Sequence, residues 1–84
     1  MVDVAWQGGG AARVSTLTGE AIVVVSEKPF APGARPAGAL ASGHEIRMKV
    51  HRCRRVGDAF EIEGRLIDAT RALREELARQ LGTG

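Results

Sequence analysis

Between His44 and Ile67 apolar and polar residues take turns. Ile46, Met48 and Val50 are separated by Arg47, Lys49 and His51; later Phe60, Ile62, Gly64 and Leu66 alternate with Glu61, Glu63 and Arg65. A period of two sends successive side chains to opposite faces of an extended chain, so each run predicts a strand with one buried face. Gly57-Asp58 lies between the runs with glycine in the first central position, which predicts a type II′ hairpin. That turn sets Val56 opposite Ala59, Arg54 opposite Glu61, Cys53 opposite Ile62 and Arg52 opposite Glu63. Ion pairs then share one face and apolar pairs the other. Carried further, the same register would oppose Lys49 to Leu66, a conflict of faces. One extra residue near His51-Arg52 restores Val50 against Gly64 and Met48 against Leu66, so a β-bulge is expected there.

Elsewhere the pattern is shorter. Val2 to Trp6 reads as a first strand, Gln7-Gly8-Gly9-Gly10 as a flexible turn, and Ala11 to Leu17 as a second strand. The triple glycine lacks the spacing of a phosphate-binding loop and is not followed by a helix. Ala21 to Ser26 is a β-branched apolar run, read as a buried strand. Glu27 to Ala41 holds all three prolines and reads as turn with an edge strand. From Asp68 or Thr70, either able to cap, the period becomes helical: Leu73, Leu77 and Leu81 form a stripe. Arg71 with Glu75 and Glu75 with Arg79 offer i,i+4 pairs, and Gly82 offers a stop. A C-terminal helix over residues 69–81 is expected. Val23, Val25, Met48, Val50, Ile62, Leu66, Leu73 and Leu77 are the expected core.

Composition narrows the class. Only Trp6, Phe30 and Phe60 are aromatic among 84 residues, so Val, Ile, Leu and Ala must fill a small interior. A formal charge of +2 is too small to attract nucleic acid or lipid without local clustering. The single cysteine, Cys53, excludes an internal disulfide. Neither a long apolar run nor a basic-then-apolar leader is visible, which predicts a cytoplasmic protein without membrane insertion.

The stretch Ala12 to Val25, containing Thr16-Leu17-Thr18-Gly19-Glu20-Ala21, resembles the motif strand of PilZ domains and the apolar strand that follows it. The order continues to match through the Pro32-Gly33 turn, a basic strand, an acidic strand and a closing helix, about residues 11 to 81. The resemblance implies a single domain over residues 1–84: a mainly β, small antiparallel β-barrel of about six strands with one C-terminal α-helix, residues 1–10 forming the N-terminal strand and turn. It also implies a non-enzymatic signalling role in bacteria, response to cyclic di-GMP. In that family an Arg-x-x-x-Arg element grips the phosphates and guanine faces, and Asp-x-Ser-x-x-Gly reads the base edges.

Carried over, Thr16 stands at the Asp position, Thr18 at the Ser and Ala21 at the Gly. Thr18 keeps a hydroxyl. Thr16 lacks the carboxylate, Ala21 adds a Cβ, and Arg-x-x-x-Arg occurs nowhere in the chain; Arg13 is the one basic residue near the motif. Charge-assisted hydrogen bonds contribute about 1.5–3 kcal/mol each, so these losses imply a fall in affinity by orders of magnitude. The expectation is an adaptor with a degenerate nucleotide site, no cofactor, and output through contact with a protein partner or a second copy of itself.

His51-Arg52-Cys53-Arg54-Arg55 is the densest basic segment and supports the alternative of a small nucleic-acid-binding barrel. The plainer reading is a solvated strand face with Arg52 and Arg54 neutralised by Glu63 and Glu61. Base stacking needs exposed aromatics, and the hairpin has only Phe60, on its apolar side. Cys53 with His51 lacks the orienting group and oxyanion donors of a nucleophile site. His44, His51 and Cys53 do not form a zinc pattern. Glu61 and Glu63 face arginines, which removes the reason for one to stay protonated.

Overall fold

The computed structural model describes residues 2–81; the stop expected at Gly82 lies outside them. Six strands close into an antiparallel barrel in the order β1-β2-β3-β6-β5-β4. They are β1 (Val2–Trp6), β2 (Ala11–Thr18), β3 (Ala21–Ser26), β4 (Ala37–Leu40), β5 (Glu45–Val56) and β6 (Ala59–Ile67), followed by helix α1 (Arg71–Gln80). The first three strands form a meander, residues 27–36 cross one end of the barrel, and β4 returns beside β1 as in a Greek key. Closure matters for so short a chain because it leaves no unpaired edge.

The β5–β6 hairpin has the register read from its alternation. Val56 pairs with Ala59, Arg54 with Glu61, Cys53 with Ile62 and Arg52 with Glu63; the pairing then shifts, and Val50 meets Gly64 and Met48 meets Leu66. The bulge falls at His51. Gly57 has φ 63° and Asp58 has no positive φ, as a type II′ turn requires. Gly19-Glu20 joins Thr18 to Ala21 in the same way, with Gly19 at φ 62°.

Inside the barrel lie Val2, Val4, Trp6, Ala12, Val14, Ile22, Val24, Leu40, Ile46, Met48, Val50, Ile62 and Leu66. Val23 and Val25, expected in the core, are half-buried on the outer side, and Ile22, Val24 and Ser26 take the inward positions. All five residues from Ala21 to Val25 are apolar, so hydropathy cannot choose the phase of this strand; pairing of Val24 with Ile62 and Ile22 with Gly64 chooses it. The inward serine is satisfied: Trp6 Nε1 donates to Ser26 Oγ at 3.0 Å, and Ser26 Oγ donates to the Lys28 carbonyl at 2.7 Å. Phe30 packs edge-on against Trp6, with centroids 5.1 Å apart.

β4 is not the edge strand expected. Short as it is, β4 pairs with β1 on one side and β5 on the other. The preceding residues extend the β5 pairing, since Met48 N donates to the Pro36 carbonyl and Val50 N to the Ala34 carbonyl. The helix begins two residues later than expected. Thr70 caps it by accepting from Leu73 N at 3.1 Å, while Asp68, the other cap candidate, takes φ 52° and turns the chain out of β6. Leu73 and Leu77 are buried against the barrel and Leu81 is half-buried.

Candidate functional site

Because successive residues alternate in and out, the outer face of β2, β3, β6 and β5 is a set of rows running across the strands. In the first, Thr18 stands beside Ala21, Ala21 beside Arg65 and Arg65 beside Lys49. In the second, Thr16 is followed by Val23, Glu63 and Arg52; in the third, Asp3 by Arg13, Val25, Glu61 and Arg54. Neighbouring strands are about 4.8 Å apart, so residues in one row are side-chain neighbours.

The motif positions are thereby located. Thr16, Thr18 and Ala21 are all exposed on the β2–β3 hairpin. Ser15 forms a bulge between Val14 and Thr16, which keeps Arg13, Thr16 and Thr18 on the outside. The left-handed residue in this turn is Gly19, and Ala21 is an ordinary strand residue whose Cβ points to solvent. Arg13 lies toward the other end of β2, with its Nε 3.2 Å from Asp3 Oδ1. The structure joins Thr16, Thr18 and Ala21 at one end of the hairpin and does not bring Arg13 to them.

In the basic segment, Arg54 reaches Glu61 at 2.9 Å and Arg52 reaches Glu63 at 3.6 Å. Arg55 Nε donates to the Gly57 carbonyl at 3.2 Å. The bulge leaves His51 exposed on the outer face, while Cys53 is half-buried against the core opposite Ile62, so the two do not form a pair. Phe60 packs against the core from a half-buried position, and Val56, at the hairpin tip, is 50% exposed.

Two groupings were not legible from the chain. One is the continuation of the first row: Arg35 follows Lys49, because pairing of Pro36 with Met48 and Ala34 with Val50 brackets it. The other joins the turn after β4 to the helix. Glu76, 3% exposed, accepts from Ser42 Oγ at 2.7 and 2.8 Å and from Gln80 Nε2 at 2.8 Å, and its Oε1 also meets His44 Nδ1. The Ser42 hydroxyl, followed by His44, holds the Glu76 carboxyl below the usual glutamate range, against the opposing effect of burial. Ser42 and His44 both address the carboxylate directly, which differs from a serine–histidine–carboxylate relay, where the serine is bonded to the far ring nitrogen. This cluster ties α1 to the barrel. Among the described residues, no three metal-binding side chains converge.

A concavity of about 680 Å³ borders the third row at Asp3, Arg13 and Val25 and extends over β1 and β4, lined by Ala5, Ala11, Ala39 and Ala41. Ala11, Ala5 and Ala39 are cross-strand neighbours in one outward row of β2, β1 and β4, and their small side chains leave the strand backbones uncovered there. No helix among the described residues is long and apolar enough to cross a membrane. Compared with family models, curated proteins and solved structures, the chain matches none.

Proposed function

We propose that this barrel is a non-enzymatic signalling adaptor of the PilZ-like kind, with a disabled cyclic di-GMP site and output through contact with another protein. The observation that carries this reading is the β2–β3 hairpin. Thr16 presents a hydroxyl where base recognition calls for a carboxylate, and Arg13 is turned to Asp3 at 3.2 Å, away from the motif. A guanidinium held by a neighbouring carboxylate has to give up that pair before it can take a phosphate. The alanine-lined concavity, apolar and rimmed by charge, supports a protein surface as the other half of the interaction.

The nucleic-acid alternative draws less support from the same molecule. Arg52 and Arg54 are paired with Glu63 and Glu61, so the segment's cations are partly spent within its own hairpin. Calorimetric titration with cyclic di-GMP tests the proposal: the unmodified chain should show no saturable binding at micromolar protein. Tight binding there would overturn the disabled-site reading.

A further inference from the structure

The three outer rows are not equivalent. In the second and third, register sets a glutamate of β6 against each β5 arginine, Glu63 against Arg52 and Glu61 against Arg54. In the first, Arg65, Lys49 and Arg35 stand side by side on three adjacent segments, all exposed. Arg65 is partly offset by Glu20, whose Oε2 lies 3.1 Å from its Nε. Lys49 and Arg35 have no carboxylate partner among the described residues, and His51, in the bulge that follows Val50, is exposed on the same outer face. Like charges directly opposite across strands destabilise a sheet, so this arrangement costs the fold stability that a single glutamate at position 49 would restore.

We propose that the Arg35–Lys49–Arg65 row is a docking surface for an acidic segment of a protein partner, one presenting two or three Asp or Glu carboxylates. The inference rests on the adaptor reading above and adds to it a contact region separate from the alanine-lined concavity, with the chemistry of the segment that would occupy it. Shape and charge favour this occupant. The row lies on the convex outside of the barrel and shares no residue with the alanine-lined concavity, whereas a small anion is held in a pocket. Glu20, Glu45 and Glu63 are interspersed with the cations on the same face, which weakens the field felt by a uniform polyanion. A protein segment can instead place carboxylates on the row and keep clear of the glutamates. The face also lacks an exposed aromatic on which bases could stack: Trp6 is buried, and Phe30 and Phe60 pack against the core.

The test uses the full chain, a fluorescent Glu-rich peptide and a duplex DNA oligonucleotide at the same ionic strength. Lys49→Glu and Arg35→Glu should each weaken peptide binding at least about tenfold, the scale of one charge-assisted contact. Arg71→Glu makes the same charge change on the helix, where the side chain is 91% exposed, and should alter binding less than about twofold. Lys49→Glu should also raise the thermal midpoint, which separates lost docking from lost folding, and Lys49→Gln should fall between it and wild type in both respects. Equal losses from Arg71→Glu would overturn the surface, and so would failure of the wild type to bind the peptide. Both results leave the adaptor reading to its cyclic di-GMP titration. Tighter binding of the duplex than of the peptide, lost in Lys49→Glu, would overturn the acidic-protein partner and the adaptor reading together.

Discussion

Gly64 of β6 lies against the carbonyl of Lys49 in β5: a Cβ at position 64 would overlap that oxygen and come within 2.8 Å of Met48 Cε. The contact sits where the bulge at His51 ends and Val50 pairs with Gly64, so the two strands approach more closely than two side-chain-bearing residues allow. Two of the neighbouring atoms are backbone, which cannot rotate away.

Gly64→Ala is accordingly expected to lower stability by about 1–3 kcal/mol, the usual range for overpacking. Chemical denaturation with an unchanged m-value would report it. A loss under about 0.5 kcal/mol would show that the bulge has slack to absorb a methyl group.

Leu77 is 0% exposed and belongs to the helix face that packs on the barrel. Leu77→Ala should cost about 2–5 kcal/mol, because the removed methyl groups leave a cavity between two elements that cannot both collapse into it. A cost below about 1 kcal/mol in urea would mean that α1 contributes little to the fold.

Glu76 links stability to pH. Its folded pKa is lowered by the Ser42 hydroxyl, then by His44, with a further contribution from the charge of Arg79, against the opposing effect of burial. A depressed carboxyl stabilises the fold at pH values above the unfolded glutamate pKa of about 4.3 and loses that contribution as pH falls through the lower folded value. Wild type should therefore exceed Glu76→Gln in urea midpoint at neutral pH, with the gap closing as the solution is acidified through that window. A gap independent of pH would place the contribution of Glu76 in packing, not in its charge.

Restoring the motif tests which loss disables the nucleotide site. Thr16→Asp with Ala21→Gly returns the carboxylate and removes the Cβ, yet Arg13 remains directed at Asp3. Cyclic di-GMP binding by this double variant should stay weak in calorimetry. Tight binding would mean that Arg65 and Lys49, next along the row from Ala21, supply the phosphate contacts.

Where the pattern of the chain was strict, it was sufficient. The alternation from His44 to Ile67, together with Gly57, determined the β5–β6 register and located its bulge, because one wrong pairing would have turned charged side chains inward. The Leu73–Leu77 spacing likewise determined which helix face docks. The phase of β3 was illegible, since an apolar run from Ala21 to Val25 satisfies either orientation. The same holds for Thr70 over Asp68 as the cap, a choice made by the backbone turn at Asp68.

The site was legible only in part. Thr16, Thr18 and Ala21 could be grouped from sequence because one hairpin holds them, and the Arg52–Glu63 and Arg54–Glu61 pairs followed from a single local turn. Lys49 opposite Arg65 followed from the same hairpin register once the bulge was placed, whereas Arg35 joins them from the proline-rich segment before β4, which carries no period, and Ser42, His44 and Glu76 come from a turn and a helix far apart in the chain. Local periodicity determines which face a side chain takes; the tertiary structure decides which distant side chains share that face, because the pairing of β3 with β6, the path of the aperiodic segment around Arg35 and the docking of α1 are set by no short-range pattern.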